Sequence, residues 1–293
     1  LIPALLVSFY FFGIGSVIVC ASSVIACILF EWAISKYILK QQRCTVCDGS
    51  AALTGLLLGM NLPSNLPIWM IIVGALIAIG VGKMSFGGLG QNFMNPALGA
   101  RCFLLIAFAA DMTNFSCDAY TGATPLAMIR ENNGFIPADL NVRDMLFGMT
   151  SGTIGETSVV AILIGAIILI LLGVIDLKIP GSYILTFAIF MFVFGPSQFD
   201  TTYVVAEMCG GGLMLGAFFM ATDYVTSPIT PRGKIVFGIC CGLLTGVFRC
   251  FGANAEGVSF AIILSNLLVP IIEKYTVPMA FGKTKEKKVK EAK

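Results

Sequence analysis

Thr124 closes the run Asp118-Ala-Tyr-Thr121-Gly122-Ala123-Thr124, a stretch of small and polar residues in an otherwise apolar chain. A threonine hydroxyl in such a peptide can cap a helix or can be esterified. It is a weak nucleophile near neutral pH, so esterification requires a separate activating group. Pro125 follows, and PLAMIRE reads as a short helix beginning there. On Thr121-Gly122-Ala123-Thr124 alone the cap is the plainer reading.

Other residues are candidates by type and place. Ionisable side chains inside apolar segments are costly and point to function by default. Glu31, Asp48, Arg101, Glu207, Asp223 and Arg249 qualify, although most stand near segment ends, where capping or snorkelling accounts for them. Of these, Asp48, Glu207 and Asp223 are the candidate ion-pathway residues. Arg101 lies deepest and calls for an anionic partner. Asn92 and Asn95, in QNFMNP, carry amides that complement ring carbonyls and N–H groups; the alternative is a cap or kink beside Pro96. The chain has no histidine, which removes the commonest metal ligand and the usual neutral-pH base. Cys44 and Cys47 form CTVC. That spacing suits a redox pair or half a metal site, but no second Cys or His pair completes a tetrahedral set, which favours two reduced thiols.

These residues must be positioned by membrane helices. Apolar residues make up 57% of the chain and charged residues 12%, and mean hydropathy is +0.93. A soluble domain is nearer a quarter charged. The fold class is therefore all-α and polytopic, with about ten transmembrane helices. Helical runs are expected at 1–12, 14–38, 48–62, 66–82 and 91–110, then at 157–176, 182–196, 206–222, 234–250 and 257–275. The first run is too short to span and reads as the remainder of a helix, with no features of a signal peptide. The organisation is a first five-helix repeat over 1–110, a polar loop over 111–156, a second repeat over 157–276 and a basic tail over 277–293.

Basic residues orient this layout. Lys36, Lys40, Arg43, Lys83, Lys178, Arg232, Lys234, Lys274 and the lysine-rich tail fall on one side; only Arg130 and Arg143, in the long loop, fall on the other. The positive-inside rule then puts both termini in the cytoplasm and the 111–156 loop outside the cytoplasmic (inner) membrane. The tail reads as solvated and suited to anionic membrane lipid. Net charge is only +2, and no nucleic-acid partner is expected.

The halves echo each other. TGLLLGMNLPSNLP (54–67) matches LGAFFMATDYVTSP (215–228) loosely, and Gly90-x-Asn92 matches Gly252-x-Asn254. Repeats with an odd number of crossings are inverted relative to one another. Segments 48–62 and 206–222 are short, and the second is interrupted by glycines. Corresponding broken segments in two halves point to a central site; ordinary helices with packing glycines are the plain alternative.

The longer pattern Asp118-x-x-Thr121-Gly122-Ala123-Thr124 resembles the Asp-x-x-(Ser/Thr)-Gly-Ala-Thr signature recognised by the flavin transferase that attaches FMN to proteins. With FGGLGQNFMNPALGARCFL (86–104), DGSAALTGLLLGMNLP (48–63) and MATDYVTSP (220–228), the chain resembles one family over essentially its whole length. That family comprises the D component of the Rnf ion-translocating ferredoxin:NAD oxidoreductase and the B component of the sodium-pumping NADH:quinone reductase. The chain's length fits the Rnf component better.

The resemblance implies a bundle of the ammonium- and urea-channel type. It implies FMN joined to Thr124 by a phosphoester and electron transfer coupled to Na+ or H+ translocation. The chain would be one carrier in a complex, with other membrane and peripheral subunits as partners and the transferase acting during maturation. It further implies a second, noncovalent flavin, riboflavin, for which Asn92 and Asn95 are the best-placed amides; Arg101 would meet a flavin phosphate or an interior carboxylate. Three other readings remain: the quinone-reductase component itself, a channel or transporter of the same architecture with no redox role, and a structural scaffold.

Overall fold

The computed structural model describes residues 1–40, 45–115, 122–137, 140–252 and 256–278. Among them every regular element is helical. The first half holds α1 (Ile2–Phe12), α2 (Ile14–Ala33), α3 (Ser50–Met60), α4 (Ile68–Leu76) and α5 (Pro96–Ala107). Short helices follow: α6 (Ala109–Met112), α7 (Pro125–Glu131) and α8 (Val142–Phe147). The second half holds α9 (Val159–Leu171), α10 (Lys178–Phe194), α11 (Thr201–Cys209), α12 (Leu213–Leu215), α13 (Pro231–Phe251) and α14 (Val258–Thr276). Wider π-type turns extend α2 to Ile38, α4 to Lys83 and α12 to Met220.

Four of these helices are long and apolar enough to cross a bilayer: Ile14–Ile38, Ile68–Phe86, Pro231–Phe251 and Val258–Thr276. α11 and Leu213–Met220 reach that length and apolarity only together, across a 66° bend. The remaining apolar helices run 10–17 residues. Surface composition agrees with a membrane-embedded chain. Ile14, Leu29, Ile106, Leu171 and Ile271 face outward, whereas Ser16, Ser23, Thr245, Ser265 and Asn266 are buried. That distribution suits hydrocarbon solvent, where polar groups must be satisfied inside the protein.

Helix contacts hold each half together. α2 packs on α3 and α4, and the π-turn of α4 packs on α5. α10 packs on α13, and α13 on α14. α5 meets α14 and α1 meets α9, joining the halves. Small residues allow the close crossings. Gly238, Gly242 and Gly246 form one stripe of α13 against α10; a methyl group at Gly242 would lie 2.7 Å from the Tyr183 carbonyl oxygen. Beside that stripe, buried Tyr183 and Thr245 share a 2.6 Å hydrogen bond.

Several expected boundaries move for physical reasons. The segment expected at 91–110 starts its helix only at Pro96, because Gly87, Gly88 and Gly90 all take positive φ and Asn95 caps the helix behind them. The segment expected at 206–222 begins at Thr201, where Asp200 caps α11, and breaks after Cys209. The stretch expected as a polar loop, 111–156, carries α7, expected at PLAMIRE, and also α8, and its last part turns inward. Residues 151–159 are all buried. Gly155 N–H donates to the Met60 carbonyl (2.7 Å), Ile154 N–H to that of Leu62 (3.1 Å), and the Ser8 hydroxyl to that of Ile154. A methyl group at Gly155 would lie 2.7 Å from Met60 Cβ, so glycine lets this strand of chain pass the end of α3.

Candidate functional site

Thr124 is the N-cap of α7. Its extended backbone turns the chain into the helix, and its Oγ1 accepts the Ala127 N–H at 3.3 Å. Pro125 occupies the first helical position, where its missing N–H costs nothing. Gly122 and Ala123 are exposed, but Thr124 is only 7% exposed. Thr124 is therefore largely covered once α7 is packed. Asp118 and Thr121 lie outside the described residues.

α7 rests on the break in the α11–α12 span. Gly211 and Gly212 take φ of +64° and +63°, and a methyl group at Gly211 would overlap Leu126. Beneath the break Arg249 gathers its carbonyls: Nη2 donates to Gly210 O at 2.9 Å and Gly211 O at 3.1 Å. Its Nη1 donates to the Glu207 carbonyl and to the Glu207 carboxylate at 3.0 Å. The guanidinium also stacks 5.0 Å from the Phe187 ring centre. A buried arginine thus supplies the donors that the interrupted helix lacks.

Arg101, from α5, sits alongside. Its Nη2 donates to Glu256 at 2.7 Å and lies 3.9 Å from Glu156; its Nη1 donates to the Ser259 hydroxyl at 2.8 Å. Glu156 Oε1 accepts the Thr153 N–H at 3.1 Å, while Oε2 has no hydrogen-bond partner. A methyl group at Gly212 would lie 2.9 Å from that oxygen.

A second region is a cavity of about 470 Å³ between the halves, lined by Ser50, Thr54, Lys83, Asn92, Asn95 and Asp223 among others. The two asparagines behave differently. Asn95 accepts from Ala97 N–H (3.1 Å) and Leu98 N–H (3.5 Å) to cap α5, and donates to the Met220 carbonyl at 3.3 Å. Asn92 leaves its buried Oδ1 without a partner. Burial raises the Asp223 carboxyl above its ordinary value, opposed by bonds from Val225 N–H and Thr226. The Tyr224 hydroxyl donates to the Val174 carbonyl at the cavity edge.

At the cavity wall the Lys83 ammonium is 1% exposed and donates to Glu31 at 2.6 Å and to Ser50 Oγ at 2.5 Å. Ser50 in turn donates to Asp48, whose partial burial is outweighed by the Ser50 bonds and the Lys83 charge, so its carboxyl lies below the usual range. The result is a hydrogen-bonded line from exposed Asp48 to buried Glu31.

Comparison with known proteins gives the family. The model of the NQR2, RnfD, RnfE family matches residues 1–282. The chain belongs to that family. It is 44% identical to the D component of the Na(+)-translocating ferredoxin:NAD(+) oxidoreductase complex of Acetobacterium woodii, over 98% of this chain and 89% of the relative. It is 38% identical to the D component of the proton-translocating ferredoxin:NAD(+) oxidoreductase complex of Clostridium ljungdahlii, over 96% and 88%. It is 36% identical to the D component of the ion-translocating oxidoreductase complex of Methanosarcina acetivorans, also over 96% and 88%.

In this member of the NQR2, RnfD, RnfE family the candidates fall into two regions. Arg101 and Glu207 lie at the Gly210–Gly212 break, and Thr124 caps the helix whose Leu126 meets it, while Gly122 and Ala123 stand in the exposed chain before that cap. Asn92, Asn95 and Asp223 line the cavity, with Asp48 reaching it through Ser50. The three ion-pathway candidates, Asp48, Glu207 and Asp223, do not converge on one point. Cys47 lies in an exposed turn, and Cys44 is outside the described residues. Sequence reasoning missed Glu156, Glu256 and the Lys83–Glu31 pairing. Glu156 was hidden because SGTIGETS reads as loop; its lack of bulky or basic residues is the one available sign of burial.

Proposed function

We propose that this chain is the electron-carrying membrane subunit of an Rnf-type complex, with FMN joined through a phosphoester to Thr124. The observation that carries this reading is the run Asp118-x-x-Thr121-Gly122-Ala123-Thr124, standing in a chain whose family match covers residues 1–282. A flavin accepts electrons singly or in pairs and so links carriers of both kinds. The chain's own part is to tether it. A flavin transferase makes the ester, and the small Gly122 and Ala123 leave the peptide slim enough to enter that enzyme. Afterwards the cap at Thr124 and the seat of Leu126 on Gly211 hold the anchor over the buried arginines.

The second flavin of this reading fits the cavity. Its volume is in the range of small cofactor sites. Asn92 Oδ1 is a free acceptor for a ring N–H, and Thr54 and Thr222 add hydroxyls among the leucines of the wall.

The membrane frame of this reading has ten crossings in two inverted repeats. The five shorter apolar helices and the bent span complete the count, with both termini cytoplasmic and Thr124 outside. Partners are the other subunits of the complex. The named relatives carry Na+ in one case and protons in another, so the coupled ion is Na+ or H+ and family membership does not choose between them. Mass spectrometry of the peptide containing Thr124, from the native membrane, tests the proposal: it predicts the added mass of FMN there, and an unmodified peptide in cells that hold the transferase would refute it.

A further inference from the structure

The cavity between the halves shares a wall with a second pocket. The inner cavity, about 470 Å³, holds Thr54 and Asn92 among leucines such as Leu53 and Leu57. The outer pocket, about 390 Å³, is lined by Asp176, Ser227 and Lys234. Asp176 keeps 37% of its side chain exposed, so this pocket is within reach of solvent. Val174, Ile175, Thr222 and Tyr224 line both spaces and form the partition between them.

That partition consists of two rims, each tied to its own segment. On the α9 side, Gly173 N–H donates to the Ile170 carbonyl and Val174 N–H to that of Leu169, both at 2.9 Å. On the other side, the Thr222 hydroxyl donates to the Phe218 carbonyl at 2.7 Å. Val225 N–H and the Thr226 hydroxyl donate to the Asp223 carboxylate at 3.4 and 3.1 Å. Among the described residues a single hydrogen bond crosses from rim to rim, from the Tyr224 hydroxyl to the Val174 carbonyl. The Lys234–Asp176 ion pair, 3.5 Å, joins α13 to the α9–α10 loop beyond the partition. Gly173, beside Val174, has open space where a side chain would stand. Tyr224 itself is 70% exposed. Water can therefore replace either partner of the crossing bond at small net cost.

We propose that Tyr224 is a latch: its bond to Val174 closes the inner cavity to polar solutes, and release of that bond joins the two spaces into one passage. Release needs only rotation of an exposed side chain, a fast motion, because both rims keep their own hydrogen bonds. The open passage gives a water-soluble ligand a route that avoids hydrocarbon. Asn92 Oδ1, which has no partner, is the polar group that meets it inside. The latch is a property of the wall and stands whatever occupies the cavity.

Thiol labelling of the full chain in lipid nanodiscs tests it. Thr54→Cys puts a thiol in the inner cavity, and Ser227→Cys puts one in the outer pocket. The probe is a sulfonated, water-soluble maleimide, read by mass spectrometry on the peptide that holds each position. Tyr224→Phe keeps the ring and removes the hydroxyl. It should speed labelling at position 54 by about fivefold to tenfold, the shift expected from losing one neutral hydrogen bond. Tyr224→Ala should speed it further. Position 227 and exposed Cys47 should label at the same rate in all three forms. A dissociable occupant of the cavity slows every form and leaves their order unchanged. A wild-type rate at position 54 in Tyr224→Phe overturns the proposal, whatever Tyr224→Ala does, because the bond then closes nothing. An equal rise at positions 54 and 227 also overturns it, because the variant has then loosened the whole region. If Thr54→Cys fails to assemble, Leu57→Cys reports from the same cavity.

Discussion

Leu126 lies against Gly211, so the helix capped by Thr124 rests directly on the break of the α11–α12 span. This contact joins the loop that ends at Thr124 to the buried arginines. Gly211→Ala should therefore destabilise the protein twice over: about 1–2 kcal/mol for a side chain in the left-handed region and about 1–3 kcal/mol for the overlap with Leu126. Adding Leu126→Ala should recover the second part only. Thermal melting of the four forms in detergent checks this, and full additivity would show that the two residues do not press on each other.

Thr124 serves as cap and as proposed anchor, and the two roles separate by substitution. Thr124→Ser retains a hydroxyl for both and should keep the flavin. Thr124→Asn keeps a capping side chain but offers no hydroxyl, so it should lose the flavin while melting close to wild type. Thr124→Ala should lose the flavin and about 1 kcal/mol of capping as well. Melting curves read beside flavin content decide it; a flavin-bearing asparagine variant would rule out the hydroxyl as the anchor.

The Lys83–Glu31 pair is among the most deeply buried ionic contacts, with both side chains 2% exposed or less. Lys83→Met alone strands a carboxylate and should cost about 3–5 kcal/mol. Lys83→Met with Glu31→Gln should cost distinctly less. Equal losses in single and double variants would show that the lysine acts by packing and not by charge.

Glu256 predicts a pH dependence of stability. Its folded value is raised from 4.5 to about 7, so over that interval unfolding releases a proton. Stability should fall as pH rises from about 4.5 to about 7 and level off above it. Glu256→Gln should flatten this interval. An unchanged slope in the variant would mean that other groups set the pH dependence.

Asn92 is the cavity group with a free acceptor. Asn92→Leu should strip noncovalent flavin from the purified complex and leave any covalent flavin untouched. Loss of neither, measured by acid extraction and chromatography, would remove the cavity from the flavin path.

The all-helical, membrane-embedded class was legible because long apolar runs report directly on the bilayer. Helix starts at Pro125 and Pro231 follow capping threonines that stand plainly in the chain. The α11–α12 break was visible as Gly210–Gly212. What stayed hidden is long-range. Nothing local in SGTIGETS shows that Gly155 slips past Met60 or that Glu156 reaches Arg101. Lys83 reads as a cytoplasmic flank, yet it turns inward to Glu31. Asn92 and Asn95 look equivalent in QNFMNP; only the packed structure assigns Asn95 to the α5 cap and leaves Asn92 open.

In-gel flavin fluorescence of the denatured chain from its native membrane tests the covalent anchor at Thr124 most directly. A fluorescent band is expected in the wild type and none in Thr124→Ala. A dark wild-type band, in cells that contain the flavin transferase, or a band that survives in Thr124→Ala, would contradict it.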